Sequence, residues 1–202
     1  MGGADKGLVD WDGTPLVQAV LKRLRVQTIP PQAIWISANR HADEYARLGD
    51  VKVVKDERPN FAGPLAGVES TLRLVKAPFL LVVPCDTPLL PLDLFESLYQ
   101  AMLEDASLSA TYAVTLTDES TPSTSTNEPS WALSSPSVQA HPLCCLLRTS
   151  LLADLSNYLD QDQNRAMDWM RLVHAKAVRF RDSRSFANMN DLKTLAAMRS
   201  AP

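Results

Sequence analysis

Apolar residues along the chain recur at two spacings, and the alternation between them lays out the fold. Val17, Val20, Leu21 and Leu24 repeat at three- to four-residue intervals over 17–25, the period of one helix face. Helices are also expected over 42–48, 64–75, 92–103, 150–159, 167–173 and 191–198. Between them lie apolar runs of strand length at 33–37, 51–54, 79–83, 111–116, 143–147 and 177–180. Strands and helices of these lengths in alternation predict βαβ units with right-handed crossovers, hence an α/β, Rossmann-like three-layer fold with a mostly parallel sheet. No internal repeat is visible.

One run carries chemistry. Phe79-Leu80-Leu81-Val82-Val83 is apolar at both parities, which predicts a strand buried on both faces, and it ends in Pro84-Cys85-Asp86-Thr87-Pro88. Parallel sheets bind ligands beyond the carboxyl ends of their strands, so Asp86 stands where a magnesium-bound nucleotide would sit; an Asp in this place also serves as a turn residue bonded to its own backbone. Asn39 and Asp56 follow the strands at 33–37 and 51–54 and fall on the same edge, or else cap helices.

The chain opens on Met1-Gly2-Gly3-Ala4-Asp5-Lys6-Gly7, followed by an extended Leu8-Val9 pair and a turn at Asp12-Gly13-Thr14-Pro15. Glycines admit phosphates to the backbone N–H groups and a lysine adds a point charge, though a solvated loop has the same composition. Gly63-Pro64 reads as a helix start, with Gly67 allowing a close neighbour.

Composition narrows the class. With 46% hydrophobic and 21% charged residues over 202 positions, the chain suits one globular domain rather than a disordered or coiled-coil protein. A net charge of −3 offers no field for a long nucleic acid, and no apolar stretch reaches membrane-spanning length, so a cytoplasmic protein acting on a small ligand is expected. Cys85, Cys144 and Cys145, odd in number and partly adjacent, argue for free thiols, and the three histidines show no zinc-ligand spacing with them. Residues 117–138 are dominated by Ser, Thr and Pro and are expected to form a flexible surface insertion.

Together, residues 1–7, Ser37-Ala38-Asn39-Arg40-His41, Asp56, Gly63-Pro64-Leu65-Ala66-Gly67, Pro84-Cys85-Asp86-Thr87-Pro88, His141-Pro142 and 186–190 occur in the order of molybdenum cofactor guanylyltransferase, which the chain resembles over nearly its whole length. The resemblance implies a nucleotidyltransferase fold and an enzyme that joins GMP from GTP to molybdopterin and releases pyrophosphate. It implies Asp86 as Mg²⁺ ligand, Lys6 on the triphosphate, and Gly2, Gly3, Asn39, Asp56, Gly63 and Gly67 around GTP. His141, Arg165, Asn188 and Asn190 match the pterin side; Arg165 could pair bidentately with the molybdopterin phosphate, while Asn190 is equally placed to cap the last helix. Cofactor-insertion proteins and target molybdoenzymes are the implied partners. Asp191-Leu192 departs from the family's Thr-Pro at that point.

In the family, the segment matching Met1-Gly2-Gly3 is preceded by a first strand and a Leu-Ala-Gly-Gly loop. Without a central first strand, its neighbours would lose hydrogen-bond partners on a scale comparable to the whole stability of a domain, about 5–15 kcal/mol, so the functional protein is expected to begin upstream of Met1. The rival readings are a cytidylyl- or sugar-phosphate nucleotidyltransferase and a truncated, non-catalytic pterin- or nucleotide-binding remnant. Deleting residues 120–135 is expected to leave the melting temperature nearly unchanged; a loss of several kcal/mol, the scale of a packed core element, would contradict the insertion reading.

Overall fold

Helix α1, Leu16–Arg25, forms because its apolar positions share one face: Leu16, Val17, Val20, Leu21 and Leu24 are buried, and Lys22, Arg23 and Arg25 in the last turn complement the negative end of the helix dipole. The computed structural model describes residues 5–11, 13–58, 63–117 and 137–188. The remaining elements follow as a hairpin of β1 (Asp10–Trp11) and β2 (Thr14–Pro15), β3 (Trp35–Ser37), α2 (Ala42–Ala46), β4 (Lys52–Val54), α3 (Pro64–Leu74), β5 (Phe79–Val82), α4 (Leu94–Glu104), β6 (Ala110–Thr117), β7 (Ser137–Arg148), α5 (Leu152–Asp160), α6 (Ala166–Leu172) and β8 (Lys176–Phe180). Each expected element that falls on described residues is present; the helix expected over 191–198 and residues 118–136 of the expected insertion lie outside them.

Strand β7 divides the molecule into layers. Its alternate residues point to opposite faces: Cys145 and Leu147 join a core with α3, α5 and α6, whereas Cys144 and Leu146 join a second core with α1 and α4. The result is the expected three-layer α/β arrangement, helices covering both faces of a sheet.

Strand directions keep the expected mostly parallel course with one correction, that β7 runs against the other strands of its sheet. Strands β5, β7, β6 and β8 form a mixed sheet in that order, with β7 antiparallel to both β5 and β6 and only β8 parallel to β6. Strands β3 and β4 form a separate parallel pair. Strand β7 is also longer than the apolar run at 143–147, because the half at 137–141, largely exposed and polar, is held by pairing with β6 rather than by burial. Between the register pairs Tyr112–Cys145 and Ala113–His141 the strand accommodates Pro142, Leu143 and Cys144 as a bulge, which suits a proline that has no N–H to donate.

A second correction concerns β5. All four of its residues are apolar, yet each is only half-buried, because its second edge has no strand beside it among the described residues. That edge and β3 both line a cavity of about 1060 Å³, closed above and below by α1 and α3.

Helices α3 and α5 are joined by a buried ionic cluster. Glu69, 1% exposed, accepts from Arg58 Nε at 2.6 Å and Nη2 at 2.9 Å, from Arg73 Nη2 at 2.7 Å and from Ser156 Oγ at 2.6 Å. The Arg58 guanidinium foremost holds the Glu69 carboxyl down to about 2, against the opposing effect of burial. A carboxyl lowered in the folded state stabilises the protein above its unfolded pKa, and that stabilisation is lost as pH falls from about 4.5 toward about 2. Glu69→Ala removes the buried carboxylate shared by Arg58, Arg73 and Ser156, leaving half-buried Arg58 with Asp160, and is expected to cost about 2 kcal/mol in urea unfolding at pH 7. The difference from wild type should shrink at pH 3; a pH-independent difference would mean that packing rather than charge dominates.

Candidate active site

Asp86 stands beyond the end of β5, carried there by Val83, Pro84 and Cys85. It is 6% exposed, and no hydrogen bond or ion pair with another described residue engages its carboxylate. The loop that follows is anchored from below: Leu90 is fully buried, Arg23 donates to the carbonyls of Leu90 at 2.8 Å and Leu89 at 3.3 Å, and Gln27 donates to Pro91 O at 2.6 Å. A buried carboxylate without an internal cation is expensive unless a cation arrives from outside.

The opening turn converges on the same place. Lys6–Leu8 is a short 3-10 turn whose cap, Asp5, accepts from Gly7 N at 3.2 Å and from the Tyr45 hydroxyl at 2.5 Å. A Cβ at Gly7 would lie 2.5 Å from the Tyr45 hydroxyl oxygen, so this position requires glycine. Burial, with Asp5 adding to it, pushes the Tyr45 phenol well above its usual range, so it remains a donor. The Cys85 thiol is pushed up to about 11, first by burial, then by the charges of Asp86 and Asp5, with Lys6 acting in the opposite sense. Asp5, Lys6, Cys85 and Asp86 therefore share one electrostatic neighbourhood, and Lys6 projects its ammonium from an exposed position there. Burial and then Asp86 raise Cys144, on the β7 bulge, to about 12.

Asn39 and Asp56 are locked together. Asn39 Nδ2 donates to Asp56 Oδ2 at 2.8 Å, Asp56 N donates to Asn39 Oδ1 at 2.9 Å, and Ser37 Oγ donates to Asp56 Oδ1 at 3.0 Å. With both carboxylate oxygens engaged, Asp56 orients Asn39, whose second amide hydrogen stays available to a ligand. Gly67 explains why α3 can approach so closely: a Cβ there would lie 2.2 Å from Ser37 Oγ and 3.1 Å from Asp56 Oδ1. Gly63 precedes the helix at φ +78°, a conformation that favours glycine, and faces Asn164 beside Arg165.

Among the other expected residues, His141 Nε2 is 2.9 Å from Thr115 Oγ1, its ring stacks on Phe186 at 4.6 Å, and burial lowers its pKa. Asn188, two residues beyond Phe186, is exposed. Arg165 is exposed, makes no ion pair with another described residue, and its carbonyl accepts from the Tyr158 hydroxyl. Ser37, Gly67, Cys85 and Asp86 line the cavity beside β5; His141, Arg165 and Asn188 do not. Gly2, Gly3 and Asn190 lie outside the described residues.

Sequence reasoning missed Asp5, Ser37 and Tyr45. An Asp two residues before a glycine is an Asx-turn signal that could have found Asp5. The Tyr45–Asp5 bond spans 40 positions and leaves no local trace.

Comparison with known proteins agrees with this layout. The model of the MobA-like NTP transferase domain matches residues 1–178. A Burkholderia orbicola protein named molybdenum cofactor guanylyltransferase is 40% identical over 201 residues, covering 98% of this chain and 88% of its own. A Polynucleobacter asymbioticus protein of the same name is 36% identical, covering 100% and 90%. The crystal structure of molybdopterin-guanine dinucleotide biosynthesis protein A from Archaeoglobus fulgidus superposes with a TM-score of 0.67 at 18% identity over 96% of this chain and 89% of that one, a likeness of fold. The chain belongs to the MobA-like nucleotidyltransferase family.

Proposed function

We propose that this protein transfers GMP from GTP to molybdopterin, forming the guanine dinucleotide cofactor and releasing pyrophosphate. The observation that carries the reading is Asp86: a buried carboxylate beyond a strand end that makes no ion pair with another described residue, in one electrostatic neighbourhood with exposed Lys6. The name borne by relatives of which this chain covers 88–90% supplies the nucleotide and the acceptor.

The phosphate of molybdopterin attacks the α-phosphorus of GTP and pyrophosphate departs from the opposite side, so the protein supplies positioning and charge rather than a covalent nucleophile. Asp86 fits Mg²⁺: a single hard carboxylate suits a cation that keeps several waters and phosphate oxygens, and the described residues hold no cluster of three His, Cys, Asp or Glu that would cage a different metal. Bound there, Mg²⁺ would neutralise charge on the triphosphate. Lys6 stabilises the negative charge that builds on the departing phosphates, and the Asp5–Tyr45 bond fixes the turn that presents it. Asn39, oriented by Asp56, and the start of α3 at Gly63 and Gly67 border the guanosine. Gly2 and Gly3 complete the phosphate loop, and His141, Arg165, Asn188 and Asn190 take the pterin, with Arg165 on its phosphate. Transfer of the product in the cytoplasm to cofactor-insertion proteins and molybdoenzymes belongs to the same reading. No helix among the described residues is long and apolar enough to cross a membrane.

Asp86→Asn keeps the volume and removes the charge, and is expected to reduce guanylyl transfer by about 10²-fold or more with an unchanged melting temperature. Near-normal turnover would defeat the assignment. Base choice is read separately: with Mg²⁺ present, GTP at a hundredfold its Kd should stabilise the protein by about 2.7 kcal/mol, and a larger effect of CTP, ATP or UTP would overturn guanine selectivity.

A further inference from the structure

Among the described residues, three other than glycine have a positive φ: His41 at 52°, Asp162 at 56° and His174 at 51°. Two of them end helices. Asp162 follows α5 and His174 follows α6, where a left-handed residue brings the next amides back onto the last carbonyls of the helix. Asp162 N donates to Leu159 O at 3.1 Å, His174 N to Arg171 O at 3.1 Å and Ala175 N to Met170 O at 2.9 Å. His41 stands instead at the start of α2, where the flanking residue is ordinarily extended and caps the helix with its side chain. It does neither: its backbone is left-handed at φ 52°, ψ 30°, and its ring makes no cap bond. A costly conformation that no helix end explains points to a constraint from the site beside it.

Two fixed walls flank this residue. Two positions before it, Asn39 is held by its paired bonds with Asp56. Four positions after it, Tyr45 is buried, packs with Ile36 and Ala38, and donates to Asp5, the cap of the turn that carries Lys6. The His41 carbonyl accepts from Glu44 N at 2.9 Å and Tyr45 N at 3.1 Å, and its ring Nδ1 lies 2.8 Å from Glu44 Oε1, so backbone and ring both fasten the joint to α2. A carboxylate only accepts, so Nδ1 carries the hydrogen of that bond. The imidazole does not line the cavity beside β5. Because Asn39 and Tyr45 are each held by other segments, the left-handed turn between them sets how far apart they stand, and through Asp5 where Lys6 lies relative to Asn39.

We propose that His41 is a positioning residue whose left-handed backbone sets the span between Asn39 and the Lys6 turn, so that the nucleoside and triphosphate halves of one nucleotide are engaged together, an inference that rests on the nucleotide reading given above. Halves joined in one ligand reinforce each other only where the two subsites stand at the matching span. A shift of about 1 Å in one wall is enough to forfeit much of that reinforcement.

Four variants of the full chain separate backbone from imidazole. His41→Gly and His41→Asn accept a left-handed backbone, whereas His41→Ala and His41→Val resist it, valine most. Dissociation constants of GTP and of inorganic tripolyphosphate, each with Mg²⁺, are measured by calorimetry well below the melting temperature, and the backbone amide signals of Lys6 and Gly7 are recorded by NMR without ligand. GTP should bind the glycine and asparagine variants within about threefold of wild type and the valine variant at least about tenfold more weakly, with alanine between. Tripolyphosphate, which has no nucleoside to align, should differ by less than about threefold among them all. The Lys6 and Gly7 signals should keep their wild-type positions with glycine and asparagine and move with alanine and valine.

Equal weakening of GTP by glycine and valine would assign the imidazole itself to the ligand and overturn the proposal. Wild-type GTP affinity in the valine variant would overturn it too, as would a loss for tripolyphosphate as large as that for GTP, or amide signals that stay in place in every variant. A role in stability alone would lower the melting temperature and leave these affinities and signals as they are. Should the valine variant fail to fold, alanine carries the same comparison. If the wild type binds no GTP, the nucleotide reading fails by itself, and the amide signals still decide whether His41 positions the lysine turn.

Discussion

Backbone pairing of β5 with β7 is the constraint from which the candidate site follows. Asp86 is placed by β5, and among the described residues β5 has a strand partner along one edge, four residues long, from Phe79–Arg148 to Val82–Cys145. Strand β7 is fixed by its own alternation, one parity feeding the core under α3, α5 and α6 and the other feeding the core under α1 and α4. The bulge at Pro142, Leu143 and Cys144 begins where the β5 pairing ends, so the strand that holds β5 changes direction beside Asp86. The second support comes from Arg23 of α1 and Gln27 just beyond it, which tie down the carbonyls of the loop beyond Asp86. Strand pairing and loop anchoring thus hold a buried carboxylate that makes no ion pair with another described residue.

The remaining parts of the site are held by polar contacts between distant segments. Tyr45 bonds Asp5, Asp56 bonds Asn39 and Ser37, and Gly7 and Gly67 permit contacts that any side chain would block. Each contact fixes one wall: the lysine turn, the β3–β4 edge, the start of α3. Glu69, with its two arginines, clamps α3 to α5 on the opposite flank, so the helix whose first turn borders the site is anchored along its length.

Much of this was readable from the chain, for identifiable reasons. Helix and strand periods gave the element order, because most elements bury an apolar face of matching period. Asp86, Asn39 and Asp56 were readable as edge residues because each follows an apolar strand. Three things were hidden. The antiparallel course of β7 was not encoded in its apolar run, and the exposed half of the strand at 137–141 is kept by pairing. The burial of Glu69 leaves no local trace, because it is set by Arg58 and Ser156 from other segments. The half-burial of β5 was not foreseeable from a run that is apolar at every position, since it depends on what stands beside the strand.

The central claim is that a metal-bound nucleotide sits at the carboxyl end of β5 against Asp86 and Lys6. Paramagnetic line broadening by Mn²⁺ with GTP, read on backbone amide signals, locates the metal without reference to turnover. Broadening should be strongest at Asp86 and Thr87, extend to Lys6, Gly7, Ser37 and Gly67, and be absent from Glu104 and Asp105 at the far end of α4. Broadening centred on Glu104 and Asp105, or spread evenly over surface carboxylates, would contradict the account.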